Sequence, residues 1–424
     1  GLSFCKNICS RFLFSGMAVI FMNQPEAFGL AYNDNDFVFR STNYTPTQRF
    51  KVMVLPSTYP TDPILATVRV WPRQATSGSV ERAFYDPSRI LQTQLSQQIE
   101  IPGASHAGGF DANNIHFEYV LYVQEEDKVG GVYVGGASTI SDLRSVWNGV
   151  ENKVNWLDFG YDYYDMKSGN NLRRPLSQAP LTQYIDSNQS AFLYFLSSDN
   201  NASVVKVDSY DSNGAVLQSG SFSFSITNQY GYVAVGTYDL INSDASIWSG
   251  STPSTIIDGA AYYDATIRSG GGLQATVRYY IDSKCSKYEP IRLHWLNKLG
   301  GFDSFNFNLK SEEQTSIKRS TYLQDEHSFT GTAWKYEKTS RGTTDYNITT
   351  QDKLTVNTDY LTEEESVWMQ DFATSPVVFQ ELKHELIALS GKPKRIAKQT
   401  SLNDKLMQYT FELEYSLNNN RQRG

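Results

Sequence analysis

The last stretch of the chain alternates between apolar and polar side chains without interruption. From Met407 to Tyr415 the odd-numbered positions are Met, Tyr, Phe, Leu and Tyr, and the even-numbered positions are Gln, Thr, Glu and Glu. Successive side chains of a β-strand point to opposite faces of the sheet, so this period of two predicts a strand with one buried and one solvated face. A shorter run of the same kind at Ile291–Trp295 predicts another strand.

Short apolar or alternating runs, separated by turn residues, fill most of the remaining chain. The clearest of them span residues 50–55, 66–71, 117–123, 191–196, 203–208 and 273–281. Asn213 and Gly214 both tolerate positive φ, so they predict a hairpin turn between two strands. The pattern therefore predicts a mainly β protein with several β-sandwich domains and one or few short helices in the C-terminal domain.

One segment has the pattern of a helix. Residues 362–365 read Thr-Glu-Glu-Glu, a capping box in which the Thr362 hydroxyl accepts from a backbone amide and the Glu365 side chain reaches back. Acidic side chains in the first turn also suit the positive end of the helix dipole. Because Ser375 precedes a proline, the helix is expected to end there. We predict a helix near 362–373.

These patterns divide the chain into five parts. They are an N-terminal extension at 1–16 that is flexible or not native, a β-sandwich domain at 17–129, an aromatic-rich connecting segment at 130–185, a second β domain at 186–284 and a C-terminal β domain at 285–424. Connecting segments of such length usually carry a function or form an interface.

The N-terminal residues favour no single interpretation. The apolar run from Phe12 to Met22 has about half the length needed to span a bilayer, so we expect no membrane association. It resembles a weak signal peptide, but no small-residue cleavage site follows it cleanly. The alternative is that Met17 is the true start. The 3 cysteines of the chain predict no disulfide framework.

The overall charge argues against a dedicated nucleic-acid-binding protein. The chain of 424 residues has a formal net charge of -8, whereas nucleic-acid-binding domains carry a basic surface. Aromatic residues reach 13% and charged residues only 19%, a balance that suits pleated, half-buried sheets. We therefore expect no specific nucleic-acid partner.

Charges of both signs cluster near the C-terminus. Together with the polar face of the last strand they form a candidate assembly surface: Lys392, Lys394, Arg395, Lys398, Glu412, Glu414, Arg421 and Arg423. A surface that carries both signs suits docking between neighbouring copies of one protein. The alternative for the basic cluster is an ordinary solvated loop.

No motif in the sequence predicts catalysis. The 5 histidines include no pair with metal-ligand spacing. The glycine run at 270–272 precedes a strand, whereas a phosphate-binding loop would need a helix N-terminus there. We predict no catalytic residue, no cofactor and no metal site, and the chain is not expected to be an enzyme.

Aromatic residues are densest in the predicted connecting segment. Four of them are candidate contacts for a glycan or an interface: Trp147, Trp156, Tyr161 and Tyr163. Aromatic rings suit sugar recognition, so one alternative function is a carbohydrate-binding receptor or adhesin module. A remote alternative is a polysaccharide-degrading enzyme, because paired carboxylates cleave glycosidic bonds and the segment contains Asp158, Asp162 and Asp165. The competing interpretation is an aromatic-packed surface between domains.

Residues 285–307, with Ile-Arg-Leu-His-Trp followed by Leu-Gly-Gly-Phe-Asp, are the most distinctive segment. Together with the predicted helix and the last strand, they resemble tail and virion structural proteins of phages that infect Bacteroidota, including crAss-like phages. Residues 37–44 and 85–90 match more loosely. The matched motifs are scaffold motifs, so they carry no catalytic residues to transfer.

The resemblance implies a β-sandwich structural component of a phage virion, in the tail, neck or baseplate. Such a protein works by oligomeric assembly around the particle axis, so the implied partners are copies of itself in a ring and other virion proteins. Under the adhesin alternative, a host surface glycan is a further partner. The implied location is the virion, after synthesis in the host bacterial cytoplasm. The first 16 residues depart from the family pattern, which favours Met17 as the start.

Overall fold

The fold comes from a computed structural model and is mainly β. The structure describes residues 19–73, 81–96, 110–111, 115–151, 160–166, 174–197, 203–224, 230–269, 274–281, 287–325, 327–329, 331–336, 338, 342–391, 407–417 and 419–420. Three β-rich regions follow one another along this part of the chain, as the alternating pattern predicts.

The first region is a sandwich of two sheets. Its elements are β1 (Val19–Asn23), β2 (Phe28–Leu30), β3 (Phe37–Ser41), β4 (Arg49–Pro56), β5 (Ala66–Val70), β6 (Ala83–Tyr85), α1 (Ser88–Leu91), a 3-10 turn (Gln92–Gln94), β7 (Phe110–Asp111), β8 (His116–Val129), β9 (Val132–Ile140) and β10 (Arg144–Trp147). One sheet has the order β1-β3-β6, and the other has the order β2-β10-β8-β4-β5 with β9 paired to β8. The rings of Phe39 and Phe50 meet edge to face between the sheets, 5.1 Å apart.

The predicted boundary after residue 129 falls inside a hairpin of this region. Strands β8 and β9 pair with each other on either side of it. Strand β10, which lies in the predicted connecting segment, pairs with β2 on one side and β8 on the other. This part of the predicted connection is therefore regular sheet.

The second region is also built from two sheets. Its elements are a 3-10 turn (Tyr161–Tyr163), β11 (Thr182–Ile185), β12 (Phe192–Leu196), β13 (Ser203–Tyr210), β14 (Val216–Phe224), β15 (Tyr230–Ala234), α2 (Thr237–Asn242), a 3-10 turn (Ala245–Ile247), β16 (Trp248–Gly250), β17 (Tyr262–Ser269) and β18 (Gln274–Ile281). One sheet has the order β11-β18-β17-β13-β14-β16, and the other has the order β12-β15-β7. Strand β7 of the first region thus completes the smaller sheet.

The predicted hairpin turn of the second region is confirmed. Strands β13 and β14 pair antiparallel on either side of it. Gly214 adopts a φ of 85°, which glycine tolerates without strain. The Asp211 carboxylate accepts from the backbone amides of Asn213 and Ala215 and closes the loop.

The third region is one long sheet covered by a helix. Its elements are β19 (Ile291–Leu296), β20 (Phe302–Phe307), β21 (Glu312–Leu323), β22 (His327–Phe329), β23 (Trp334–Tyr336), β24 (Thr343–Asn357), α3 (Glu363–Thr374), β25 (Val378–Leu382), β26 (Glu385–Gly391), β27 (Thr410–Tyr415) and β28 (Asn419–Asn420). The sheet has the order β20-β19-β25-β26-β27-β24-β21, with β28 paired to β24, and β22 and β23 form a separate two-stranded sheet.

The predicted helix and the predicted last strand pack against each other. Helix α3 begins with the predicted capping box at Thr362, in which both reciprocal hydrogen bonds form. Strand β27 lies inside the sheet, between β26 and β24. Phe411 on β27 meets Phe372 on α3 edge to face, with ring centroids 4.7 Å apart. The apolar face predicted from the period of two is therefore the face that the helix covers.

Candidate functional site: a central turn, a polar junction and a ribbon

A tight turn between β19 and β20 is the point at which the three regions meet. This central turn comprises residues 297–301 and reads Asn-Lys-Leu-Gly-Gly. The Asn297 side-chain oxygen accepts from the backbone amides of Leu299 and Gly301, at 2.9 and 3.0 Å. Gly300 adopts a φ of 86°, a conformation that favours glycine over other residues.

The carbonyl groups of the central turn bind side chains from the other two regions. The Trp147 indole nitrogen, at the end of β10, donates to the Leu299 carbonyl at 3.0 Å. The Tyr230 hydroxyl, on β15, donates to the Gly300 carbonyl at 2.7 Å. Buried backbone carbonyls need such partners, and here the partners also join the regions.

The backbone around the central turn leaves no space for larger residues. A Cβ atom on Gly300 would lie 2.3 Å from the Asn148 carbonyl oxygen, and one on Gly149 would lie 2.8 Å from the Lys298 carbonyl oxygen. Real Cβ atoms do not approach other atoms so closely, so both positions require glycine. The two segments can therefore cross only because neither carries a side chain there.

An apolar cluster shared by all three regions surrounds the central turn. Its buried members include Phe28, Leu30 and Trp147 from the first region, Tyr194 and Tyr230 from the second, and Leu299 and Phe302 from the third. Burial of this kind stabilises a protein by about 25 cal/mol per Å² of apolar surface. The cluster therefore joins the regions into one packed body at this point.

Two buried carboxylates lie beside the central turn. Asp303 accepts from the Trp368 indole nitrogen at 2.7 Å and from the Asn297 amide at 2.9 Å. Burial raises the pKa of Asp303 to about 6. Burial, together with the neighbouring Asp303, raises the pKa of Asp371 to about 7. Both groups therefore change charge near neutral pH, at the contact between helix α3 and the central turn.

Strand β19 is buried on both faces, which is unusual for a strand with charged residues. Leu293 and Trp295 point into the core under helix α3. Arg292 and His294, on the opposite face, are also buried. They meet the segment that precedes β12, so the polar face of β19 is the contact with the second region. We call the cluster formed by Arg292, His294, Glu381, Ser190 and Asp239 the buried polar junction.

In the buried polar junction, the third region donates a hydrogen bond to the second region, and the second region donates one back. The Arg292 guanidinium donates to the Ser190 carbonyl at 2.8 Å and lies 3.8 Å from Glu381. The Glu381 carboxylate accepts from the Ser190 amide at 3.2 Å. Asp239, on α2, accepts from the Ser190 hydroxyl at 2.9 Å. Buried charges are tolerated only with such partners, so this set stabilises one relative placement of the two regions.

The protonation states follow from the burial. Burial lowers the pKa of Arg292, and the nearby Glu381 opposes that shift. Burial alone would raise the pKa of Glu381, but the hydrogen bond from His294 and the charge of Arg292 lower it overall. Burial also lowers the pKa of His294. The junction therefore pairs an ionised Glu381 with Arg292 beside a neutral imidazole.

Ser304, His294 and Glu381 lie in the order found in hydrolase triads. The Ser304 hydroxyl is 2.7 Å from His294 Nδ1, and His294 Nε2 is 3.0 Å from Glu381. Triad chemistry also needs an open site for the acyl substrate. The His294 ring is fully buried, and the cavity next to Ser304 measures about 10 Å³, which is room for about one water molecule. In this fold the three groups complete the buried polar junction.

The structure corrects the glycan interpretation of Trp147. Its side chain is fully buried, because β10 lies inside a sheet and the indole points into the shared apolar cluster. A buried ring offers no face to a sugar, so Trp147 serves the packing between regions. Tyr161 and Tyr163 are half-buried against the same cluster, with the Tyr161 ring 5.2 Å from Phe28. Trp156 lies outside the described residues.

The structure also corrects one residue of the predicted assembly surface. Glu412 is exposed, but Glu414 is buried between β24 and β26. The Glu414 carboxylate accepts from Gln351 at 2.8 Å and lies 3.4 Å from the Lys353 ammonium. Cross-strand neighbours therefore cover a side chain that the period of two places on the solvated face. The remaining members of that surface lie outside the described residues: Lys392, Lys394, Arg395, Lys398, Arg421 and Arg423.

Other predicted features have these outcomes. Asp165 is buried, whereas Asp158, the side chain of Asp162 and the proposed start at Met17 lie outside the described residues. Within the part of the chain that the structure describes, no three His, Cys, Asp or Glu side chains are grouped as metal ligands would be. In the same ranges, no helix has the length and apolar character needed to cross a membrane.

A long two-stranded ribbon extends from the opposite edge of the third sheet. Strand β21 pairs with β24 from Glu312–Thr355 to Leu323–Thr343. A strand of this length spans about 40 Å. Among the described residues, β27 pairs with β24 at residues 353–357 and β28 pairs with it at 349–350. We call the distal part, residues 316–323 and 343–348 together with the small hairpin β22–β23, the ribbon.

The ribbon carries apolar side chains that are largely exposed. The exposed fraction is 84% for Leu323, 64% for Trp334, 56% for Ile317 and 50% for Tyr346. Nearly every residue of β21 is exposed, so both faces of the strand meet solvent. A sheet edge with exposed apolar residues is a ready template for pairing with another chain.

Comparisons with known proteins identify no family. No protein-family model matches the chain, and no curated protein matches it. Among solved structures, a marsupial T cell receptor covers 80% of this chain and 96% of its own length, with 7% sequence identity and a TM-score of 0.21. A TM-score this low carries no argument about fold or function.

Proposed function

We propose that this chain is a structural component of a phage virion, in the tail, neck or baseplate, that works by oligomeric assembly around the particle axis. The observation that carries the proposal is the ribbon, which exposes apolar side chains and whose outer strand, β21, has no second strand partner among the residues that the structure describes. A protein that acted alone in solution would gain nothing from such exposure, because exposed apolar edges promote association.

The sequence resemblance supports the same function. The segment that resembles phage tail and virion proteins, residues 285–307, contains the whole central turn. A virion component has to keep its shape under load, and the central turn joins all three regions through backbone hydrogen bonds and a shared core. A rigid body with a projecting ribbon suits a repeated unit of a ring.

We propose that the ribbon of one copy pairs with a second copy of this chain. The six-stranded sheet of the first region ends in β5, whose outer edge has no strand partner among the residues described. One copy therefore offers both an inserting edge, on β21, and a receiving edge, on β5. A contact between two different surfaces of the same protein closes into a ring when the rotation between copies allows it.

Negative-stain electron microscopy of the purified chain tests this function. We expect ring-shaped oligomers, and we expect the chain to be present in purified phage particles of its host. Ile317→Ser in the ribbon should reduce the fraction of rings. The matched control is Ile241→Ser on α2, an exposed isoleucine away from the ribbon, which should leave the rings intact. A stable monomer that is absent from purified particles would overturn the proposal.

A further inference from the structure

Four tyrosines form one continuous row across the second region. Tyr184, Tyr280, Tyr262 and Tyr210 lie on β11, β18, β17 and β13, and each is directly opposite the next in the strand register. Directly opposite side chains on neighbouring strands point to the same face of the sheet. The four rings therefore form one line perpendicular to the strands, which we call the tyrosine row.

The tyrosine row lies on the outer face of its sheet. The residues next to it in sequence, Tyr263 and Tyr279, point the other way and are fully buried in the core of the sandwich. In contrast, Tyr184 is 59% exposed. The outer face is therefore open to solvent, and its aromatic rings are not part of the core that stabilises the region.

The rings of the row are packed side by side. Ring centroids are 4.9 Å apart for Tyr210 and Tyr262, 5.1 Å for Tyr262 and Tyr280, and 5.7 Å for Tyr184 and Tyr280. Each inner ring is thus covered by neighbours on both sides. Tyr184 is at the end of the row on the edge strand β11, where Tyr280 covers one face of its ring and no second ring stacks on it among the residues that the structure describes.

A second row, of hydrogen-bonding groups, runs beside the tyrosines. Arg278 forms two hydrogen bonds with the Asp264 carboxylate, at 2.7 and 2.9 Å. The Lys206 ammonium lies 2.7 Å from Asp208. Both cations are therefore neutralised by carboxylates on the same face. The surface offers many donors and acceptors next to aromatic rings, but little net charge.

We propose that the tyrosine row binds a neutral polysaccharide chain, with one sugar ring stacked on the free face of Tyr184. The C–H faces of a pyranose pack on an aromatic ring, and its hydroxyl groups hydrogen-bond to tyrosine hydroxyls and to paired charged groups. The row extends across four strands, so an extended chain of several sugars can lie along it. This site differs from the aromatic segment 147–164 suggested by the sequence.

The charge of this face argues against the other ligands that use aromatic rows. Single-stranded nucleic acids also stack on aromatic side chains, but their binding depends on unpaired cations along the phosphate backbone. Arg278 and Lys206 are both paired with carboxylates. An acidic or basic peptide would likewise lack a surface of opposite charge. A neutral glycan needs no charged surface for binding.

Affinity electrophoresis of the full chain tests the site. Native gels would contain one soluble neutral polysaccharide each: a mannan, a mixed-linkage β-glucan, a xylan or a dextran. A further gel would contain alginate, which is an acidic polysaccharide. In a separate experiment, the chain would be mixed with a fluorescent oligothymidine. We expect at least one neutral polysaccharide to slow migration, and we expect Tyr184→Ala to weaken that binding at least tenfold.

A control separates the row from exposed tyrosines in general. Tyr360 is an exposed tyrosine that belongs neither to the tyrosine row nor to the ribbon, with an exposed fraction of 60%. Tyr360→Ala should leave polysaccharide binding unchanged. The proposal is overturned if no neutral polysaccharide binds, if only alginate or oligothymidine binds, or if Tyr184→Ala and Tyr360→Ala reduce binding equally. None of these results bears on ring formation, so the assembly function is tested separately.

Discussion

The central turn and the ribbon lie at opposite edges of the same sheet, in opposite environments. At the β20 edge, the central turn is buried and its carbonyls bind residues of the first and second regions. At the β21 edge, strand β21 exposes nearly every side chain to solvent. One edge therefore joins the regions within a chain, and we propose that the other edge contacts a different chain.

This difference separates the stability of the folded chain from its association with other copies, two properties that a single substitution often changes together. Substitutions at the central turn or the buried polar junction should lower the stability of the folded chain. Substitutions on the ribbon should leave stability nearly unchanged and alter association, because exposed side chains contribute little to the folded state. Pairs of chemically matched substitutions, one at each edge of the sheet, test whether stability and association depend on different edges.

The largest expected effect comes from adding one methyl group to the central turn. In Gly300→Ala, the new Cβ would lie 2.3 Å from the Asn148 carbonyl oxygen, at a φ of 86°. Left-handed strain and the clash together should lower the free energy of unfolding by about 4 kcal/mol. The matched control is Gly331→Ala, which has a φ of 66° and open space around the Cβ. It should cost only about 1–2 kcal/mol. Urea unfolding of both variants checks this, and equal losses would contradict it.

The next effect comes from removing one charge of the buried polar junction. Glu381→Gln removes the carboxylate that forms the ion pair with the buried Arg292, and breaking a buried pair costs about 3 kcal/mol. On the ribbon, Asp345→Asn removes the partner of Arg319 from an exposed pair, which costs at most about 1 kcal/mol. Thermal unfolding by calorimetry compares the two. Similar melting temperatures for both variants would mean that the junction does not stabilise the contact between regions.

Stability should also depend on pH through the carboxylates beside the central turn. Burial raises the pKa of Asp303 from its usual 3.8 to about 6 and that of Asp371 from 3.8 to about 7. Between the unfolded value of 3.8 and these raised values, the folded chain binds more protons than the unfolded chain. The free energy of unfolding should therefore fall by several kcal/mol as the pH rises from about 4 to about 7, and it should level off above that.

A substitution assigns this pH dependence. Asp371→Asn keeps an acceptor for the Lys298 amide but removes the titrating group, so it should flatten the fall in stability between about pH 4 and pH 7. Urea unfolding over a series of pH values measures the profile. The exposed Glu412→Gln is the control and should leave the profile of the native protein unchanged. An unaltered slope in Asp371→Asn would assign the dependence to other groups.

The smallest effect compares two neighbouring glutamates on β27. Glu414→Gln removes a partly buried ion pair with Lys353 and should cost about 1 kcal/mol. Glu412→Gln, on the exposed face, should change the free energy of unfolding by less than about 0.5 kcal/mol. Chemical denaturation resolves the difference. Equal effects would place both side chains in the same environment and contradict the burial of Glu414.

Local features of this fold were predictable because their causes are local. The capping box at Thr362, the hairpin turn at Gly214 and the apolar face of the last strand depend on residues within a few positions of one another. In each of these features, the residues that determine the local structure are the same residues that adopt it. The mainly β class follows from the same alternation, repeated along the chain.

Burial set by distant strands was not predictable in the same way. Trp147 is buried because its strand pairs with both β2 and β8. Arg292 meets Glu381, 89 positions later, only because β19 and β25 pair in that register. The signal that the sequence does offer is a charged residue inside an apolar run, at residues 291–296. Such a strand is buried on both faces when a polar partner lies opposite.

The mass of the chain in solution tests the central claim, that the ribbon carries the contact between copies. Size-exclusion chromatography with light scattering would compare the native chain, a ribbon variant with Leu323→Ser and Trp334→Ser, and an exposed control, Val132→Ser. We predict that the native chain and the control have masses that are multiples of 47.8 kDa, whereas the ribbon variant is a folded monomer of that mass. A monomeric native chain at all concentrations, or a ribbon variant that associates as fully as the native chain, would contradict the account.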